Sequence, residues 1–151
     1  MSGLKRILYA EDNPKDVELT LRALQECNLA NVVDVVNDGQ AVLDYLAFEG
    51  AFRLRGREYP ALVLLDIKMP RVDGIEVLRR IKGNEKLKAI PVVMLTSSRE
   101  EQDLVETYKL GVNAYVVKPI DFGDFLRAVK ELGVFWAIIN EKPPVDAPSD
   151  G

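Results

Sequence analysis

Residues 61–66 read Ala61-Leu62-Val63-Leu64-Leu65-Asp66, five apolar residues closed by a single acid. An apolar run of this length without alternation is the pattern of a strand covered on both faces, as in a parallel sheet. Four further runs frame it, at 7–10, 32–36, 92–95 and 114–117, again rich in Val, Leu and Ile. The run at 32–36 is interrupted by Asp34, which suits an edge strand.

Helical signals fill the gaps between the runs. Asn13 can cap a helix with Pro14 at its first position, followed by Val17, Leu21 and Leu24 on one face. Asp38-Gly39 opens the next helix, with Val42, Leu43 and Leu46 inward. Asp73-Gly74-Ile75-Glu76 and Ser98-Arg99-Glu100-Glu101 both resemble capping boxes. Asp121 opens a last helix whose apolar positions Phe125, Val129 and Leu132 recur at helical spacing. Strict strand–helix alternation predicts an α/β domain whose parallel sheet carries helices on both faces. For five strands the common doubly wound arrangement is flavodoxin-like, (βα)5 with order 2-1-3-4-5.

The segment 50–60 is a longer, Arg-rich connection that Pro60 ends. Beyond Asn140 the chain turns Pro-, Asp- and Ser-rich, which predicts one domain over 1–140 and a loose tail over 141–151.

Composition excludes several kinds of function. A net charge of −4 and a pI near 5.0 argue against nucleic acid as the main partner, because phosphate binding needs a basic face. No stretch reaches the roughly 18 apolar residues that span a membrane. Met1-Ser2-Gly3-Leu4-Lys5-Arg6 leads into the first run without a signal-peptide core. The single cysteine, Cys27, cannot form an internal disulfide, and a cytoplasmic location is expected. The chain has no histidine, so Ser-His-Asp triads, histidine acid–base catalysis and most zinc sites are ruled out. Chemistry must come from carboxylates, lysine, hydroxyls and a hard metal ion.

The residues that follow each run point to that chemistry. The first ends in Glu11-Asp12, the third in Asp66, the fourth in Thr96 and the fifth in Lys118. In a parallel sheet these ends share one edge, where open α/β folds bind ligands, and strands 1 and 3 flank the topological switch point. Three converging carboxylates repel one another, and a divalent cation relieves that repulsion. Mg²⁺ suits a few carboxylate oxygens together with waters and phosphate oxygens. A metal with a lysine is also what phosphoryl transfer requires, so Asp66 is a candidate nucleophile, with Thr96 and Lys118 holding phosphoryl oxygens.

Each piece alone has a plainer reading. Asp38, Asp73 and Asp121 are expected to be helix caps or solvated turns. Lys118-Pro119 could be a simple turn, and Thr96 could simply end a strand. Four strand ends delivering complementary groups to one edge make chance the poorer explanation.

Over residues 4–136 the chain resembles the receiver domain of bacterial response regulators. The resemblance rests on Glu11-Asp12, Leu64-Leu65-Asp66-Ile67-Lys68-Met69-Pro70, Asp73-Gly74, Leu95-Thr96-Ser97-Ser98, Tyr115 and Lys118-Pro119. It implies that Asp66 receives a phosphoryl group from a histidine kinase or phosphotransfer protein. It implies Mg²⁺ on the Asp12 and Asp66 side chains and the Lys68 backbone carbonyl, with Glu11 acting through a metal-bound water. Lys118 would pair with a phosphoryl oxygen, and a cis bond before Pro119 would aim it, at a cost an X–Pro bond tolerates. Thr96 and Tyr115 look like the switch pair, the hydroxyl moving to the phosphoryl group and the ring turning into the vacated space. Such a motion biases a pre-existing equilibrium. The long 50–60 connection, 82–90 before the fourth strand, and Phe135-Trp136 resemble receivers that partner phytochrome-type sensor kinases.

Only fifteen residues follow Trp136, so output through a protein contact or onward phosphotransfer is expected rather than DNA binding. Val134, Phe135, Trp136, Ile138 and Ile139 either cover the bottom of the sheet or contribute to a homodimer through helix 4, strand 5 and helix 5. The residues do not choose between the two. An aspartate-nucleophile phosphohydrolase is disfavoured because Lys68 stands where a second acid–base carboxylate is needed. A stoichiometric switch is expected instead of a turnover enzyme. It would catalyse its own phosphotransfer and slow dephosphorylation at most, and Lys68 and Ser98 would influence the lifetime. A Rossmann-type nucleotide site is disfavoured by the acidic, glycine-free turn Glu11-Asp12-Asn13-Pro14. A receiver-like adaptor that is never phosphorylated is disfavoured by the intact set of site residues.

Overall fold

The computed structural model describes residues 6–26, 29, 32–53, 58–107, 110 and 114–133. Five strands and five α-helices alternate along it. They are β1 (Ile7–Ala10), α1 (Pro14–Gln25), β2 (Val33–Val36), α2 (Gly39–Ala47), β3 (Leu62–Asp66), α3 (Gly74–Lys82), β4 (Val92–Thr96), α4 (Arg99–Thr107), β5 (Ala114–Val117) and α5 (Phe122–Glu131). All strand pairs are parallel and the order is β2-β1-β3-β4-β5, as the alternation predicts. Relative to the sequence reading, β2 starts one residue later, β3 runs 62–66 instead of 61–65, and β4 gains Thr96. Asp66 and Thr96 are therefore the last residues of their strands.

The continuous apolar runs are explained by two separate cores, because alternate strand residues face opposite sides of the sheet. Leu8, Ala10, Val63, Leu65, Val92 and Met94 join Val42, Leu46, Val77, Leu78 and Ile81 in one cluster under α2 and α3. Ile7, Tyr9, Leu62, Leu64, Val93 and Leu95 join Leu24, Phe125 and Val129 in the other, under α1 and α5. Each strand residue thus removes its side chain from water on one face or the other, at about 25 cal/mol per Å² of apolar surface. The helices rest on side-chain caps: Asn13 accepts from the Lys15 and Asp16 amides, Asp38 from Ala41, Asp73 from Glu76 and Asp121 from Asp124. The three acids expected to be caps or solvated turns are caps. At α4 the box is a variant: Ser98 accepts from the Glu101 amide at 3.2 Å, while Glu101 accepts from Ser97 at 2.8 Å.

Asp34 lies on edge strand β2, where Arg6 donates to both its oxygens at 2.6 and 2.8 Å and the Tyr45 hydroxyl adds a third bond. The connection after α2 folds back on that helix. Residues Gly50–Phe52 form a 3₁₀ turn that sets the Phe52 ring against Tyr45 at 5.1 Å, and Tyr59 meets Phe48 at 5.6 Å. Cys27, Val134, Phe135, Trp136, Ile138, Ile139 and the boundary at 140 lie outside the described residues. No helix among the described residues is long and apolar enough to cross a membrane.

Candidate functional site

At the carboxyl edge of the sheet the chain leaves β1 through Glu11 and Asp12, ends β3 on Asp66 and β4 on Thr96, and leaves β5 through Lys118. The register sets Asp66 beside Leu95 and Thr96 beside Val117, so these groups share one edge. Glu11, Asp66 and Thr96 are buried, whereas Asp12 is exposed. The Lys118 amide also donates to the Thr96 carbonyl at 2.7 Å, which ties the ends of β4 and β5 together. The Lys118–Pro119 bond is cis.

The Lys118 ammonium lies 3.1 Å from Asp66 Oδ1, 3.2 Å from Glu11 Oε1 and 3.1 Å from Asp16 Oδ2. An ammonium has three hydrogens, and three carboxylates surround this one. Burial works against its charge, yet Asp66, Asp16 and Glu11 outweigh that and raise its pKa. The acids respond in the opposite sense to what ordinary ion pairing would give. Burial, then the charge of Asp66, pushes Glu11 up to about 7. Burial also raises Asp66, with Lys118 only partly offsetting it. One ammonium does not neutralise this set of acids.

That excess is the test for a metal. Oxygens of Glu11, Asp12 and Asp66 all lie within 4.8 Å of one another. Such an all-carboxylate donor set suits a hard divalent cation. Asp12 also lines a cleft with Ile67, Lys68, Met69, Asp73 and Ile75, which leaves it open to solvent. The Lys68 side chain is largely exposed and pairs with Glu101 at 3.5 Å. Despite its burial, the Ser97 N–H and Lys68 lower the Glu101 pKa.

A second anomaly sits beside the first. Among the described residues the Thr96 hydroxyl is buried with no hydrogen-bond partner. An unsatisfied buried hydroxyl costs about 1–3 kcal/mol, so its persistence needs a reason. Its strand neighbour Met94 belongs to the cluster under α2 and α3, and half-buried Tyr115 packs against the same cluster. The two members of the expected switch pair therefore project from one sheet face.

Gly74 is the site's tightest backbone contact. A Cβ there would meet the Asp66 carbonyl oxygen at 2.2 Å, and its amide donates to Ile67 at 2.7 Å. The loop after β3 can close on the strand end only with glycine at this position.

The family model for the response regulator receiver domain matches residues 7–130. The chain belongs to the response regulator receiver family. Its structure is similar to that of the bacteriophytochrome response regulator AtBRR, at 58% identity and a TM-score of 0.86, over 93% of this chain and 100% of that one. The Mn(2+)-bound form of response regulator Rcp1 is similar at 35% identity and a TM-score of 0.66, over 93% and 99%. The probable methanogenesis regulatory protein FilR2 of Methanothrix harundinacea is 43% identical over 91% of this chain and 86% of its own length.

Members of this receiver family are signalling switches in two-component systems, and membership implies phosphorylation on an aspartate. They interact with histidine kinases or phosphotransfer proteins. The cluster Glu11–Asp12–Asp66 is typical of the receiver Mg²⁺ site.

Sequence reasoning missed two site residues. Asp16 looks like an ordinary first-turn acid of α1, and nothing in the spacing ties it to a lysine 102 positions away. Glu101 reads as part of a cap, and its contact from α4 with Lys68 in the loop after β3 has no local signal.

Proposed function

We propose that Asp66 is the phosphoryl acceptor of this receiver and that the chain works as a stoichiometric switch. The observation that supports this most is Lys118 held 3.1 Å from Asp66 between carboxylates that outnumber it. An Asp66 oxygen attacks the phosphorus of a phosphohistidine or acyl phosphate. The O–P bond forms as the P–N or P–O bond breaks, and the leaving group departs with that electron pair, an imidazole also taking a proton. Lys118 pairs with a phosphoryl oxygen, and the unpartnered Thr96 hydroxyl donates to another. Tyr115 then turns into the space Thr96 vacates. Glu11, Asp12, Asp66 and the Lys68 backbone carbonyl would hold Mg²⁺. When bound, the ion supplies charge neutralisation for the transferring group.

The phosphodonor is a phytochrome-type sensor kinase or a phosphotransfer protein, a reading supported by the likeness to a bacteriophytochrome response regulator. The chain promotes its own phosphotransfer, loses the group slowly, and acts in the cytoplasm. Output passes through the face of α4, β5 and α5, where Val117 and Phe122 expose large apolar side chains, and this face pairs two copies.

Intact mass after incubation with Mg²⁺ and acetyl phosphate tests the acceptor. One phosphate adduct is expected on the wild type and none on Asp66→Ala; an equal adduct on both removes the assignment. Sedimentation with and without beryllofluoride tests the pairing, which a strict monomer in both conditions contradicts.

A further inference from the structure

Three carboxylates share Lys118, but they differ in kind. Glu11 and Asp66 belong to the acid cluster that a cation would engage, and Asp16 does not. When the cluster turns to a metal, and Asp66 to a phosphoryl group, Asp16 is the one of the three carboxylates left to Lys118, beside the phosphoryl oxygen it pairs with.

The placement of Asp16 is also over-determined. Its amide donates to the Asn13 cap at 3.2 Å, and its carbonyl accepts from the Tyr9 hydroxyl at 3.3 Å. Tyr9 is fully buried in the core under α1 and α5. Both ends of this residue's backbone are thus fixed to the fold, one through a helix cap and one through a core strand. The side chain then reaches Lys118 at 3.1 Å. A lysine on a four-carbon stem has many rotamers, and an anchored counter-ion restricts them at little cost.

We propose that Asp16 is a positioning residue for phosphoryl transfer: it anchors the Lys118 ammonium from the α1 side so that it faces Asp66 throughout the reaction. The inference rests on the reading of Asp66 as acceptor. Asp16 touches no reacting atom and acts through Lys118. The plainer alternative is a first-turn acid that only stabilises α1.

Two measurements on the full chain separate these. In Asp16→Asn, which keeps the shape of the side chain, phosphorylation by acetyl phosphate with saturating Mg²⁺ slows about tenfold, a usual cost of losing a group that orients a reacting one. Asp16→Glu, with its carboxylate restored on a longer arm, recovers part of the rate. In the same unphosphorylated variants, with saturating Mg²⁺ to engage Glu11 and Asp66, acylation of Lys118 by a succinimidyl ester is followed by peptide mass, with exposed Lys15 as internal reference. Asp16→Asn makes Lys118 more reactive relative to Lys15, because without that carboxylate the ammonium gives up its proton more readily and the neutral amine can reach the ester.

A wild-type phosphorylation rate in Asp16→Asn overturns the proposal. So does a slower rate with Lys118 reactivity unchanged, since the effect would then bypass the lysine. A wild type that takes up no phosphoryl group refutes the acceptor reading instead, before any variant is compared.

Discussion

Two charged clusters flank the sheet, and they are built on opposite principles. At the β2 edge, Asp34 meets one guanidinium and one phenol, and its charge is balanced within the chain. At the carboxyl edge Glu11, Asp16 and Asp66 gather around the Lys118 ammonium, Asp12 adds a further acid beside Glu11 and Asp66, and among the described residues the Thr96 hydroxyl has no partner. The first cluster is complete as folded. The second is complete only with an added cation and an added anion, the two things a phosphorylated receiver acquires. An acid cluster that the chain leaves unbalanced is better explained by use than by stability.

The contrast breaks most visibly at Lys118. In metal-free protein Lys118→Met leaves Glu11 and Asp66 buried without their cation and should cost about 3–5 kcal/mol, the usual penalty for stripping one partner from a buried pair. Urea unfolding reads it, and Mg²⁺ should recover much of the loss. A negligible change would mean that the lysine does not hold the site together.

Next in size is the pH response. Glu11 is raised from the usual 4.5 to about 7, so the folded protein keeps a proton that the unfolded chain releases. Stability of the metal-free protein should therefore fall as pH rises from about 4.5 to 7, by an amount on the order of 1–3 kcal/mol. Thermal melts across that window should show the fall, and millimolar Mg²⁺ should flatten it by competing for the same oxygens. A profile that rises with pH and ignores Mg²⁺ would contradict the site's excess negative charge.

Asp34→Ala has a smaller effect with the ordinary sign. It removes an acceptor of the Tyr45 hydroxyl and an ion-pair partner of exposed Arg6, for a loss of about 1–2 kcal/mol. That loss should be indifferent to Mg²⁺, which is the control the comparison needs. Smallest is Asp12→Asn. Removing an exposed acid from the crowded cluster should slightly stabilise the metal-free protein while weakening Mg²⁺ binding, measured by calorimetry. Destabilisation there would place Asp12 with Asp34 as a structural acid.

Much of this was legible in the sequence. The unbroken apolar runs gave a parallel sheet because each strand feeds two cores, as Leu64 and Leu65 do on opposite faces. Asp38, Asp73 and Asp121 were readable as caps because capping is local. The converging residues were readable because parallel topology brings strand ends together without any need to see side chains.

What escaped were contacts that depend on side-chain reach across the fold. Asp34 marked an edge strand, but its pairing with Arg6 and Tyr45 had no local signature. Asp16 lies in α1, whereas Lys118, which it contacts, follows β5. Gly74 stood inside a recognised motif, yet its reason is a close approach to the Asp66 carbonyl, visible only in three dimensions. The unsatisfied Thr96 hydroxyl is likewise a property of its surroundings.

The central claim is that the phosphoryl group goes to Asp66. Borohydride reduces an aspartyl phosphate to homoserine, so the protein can be treated with Mg²⁺ and acetyl phosphate, reduced, digested and mapped by peptide mass. The account predicts homoserine at position 66 and at no other acid, with no label when Mg²⁺ is chelated. Reduction at Glu11, Asp12 or Asp16 instead, or no reducible adduct at all, would contradict it.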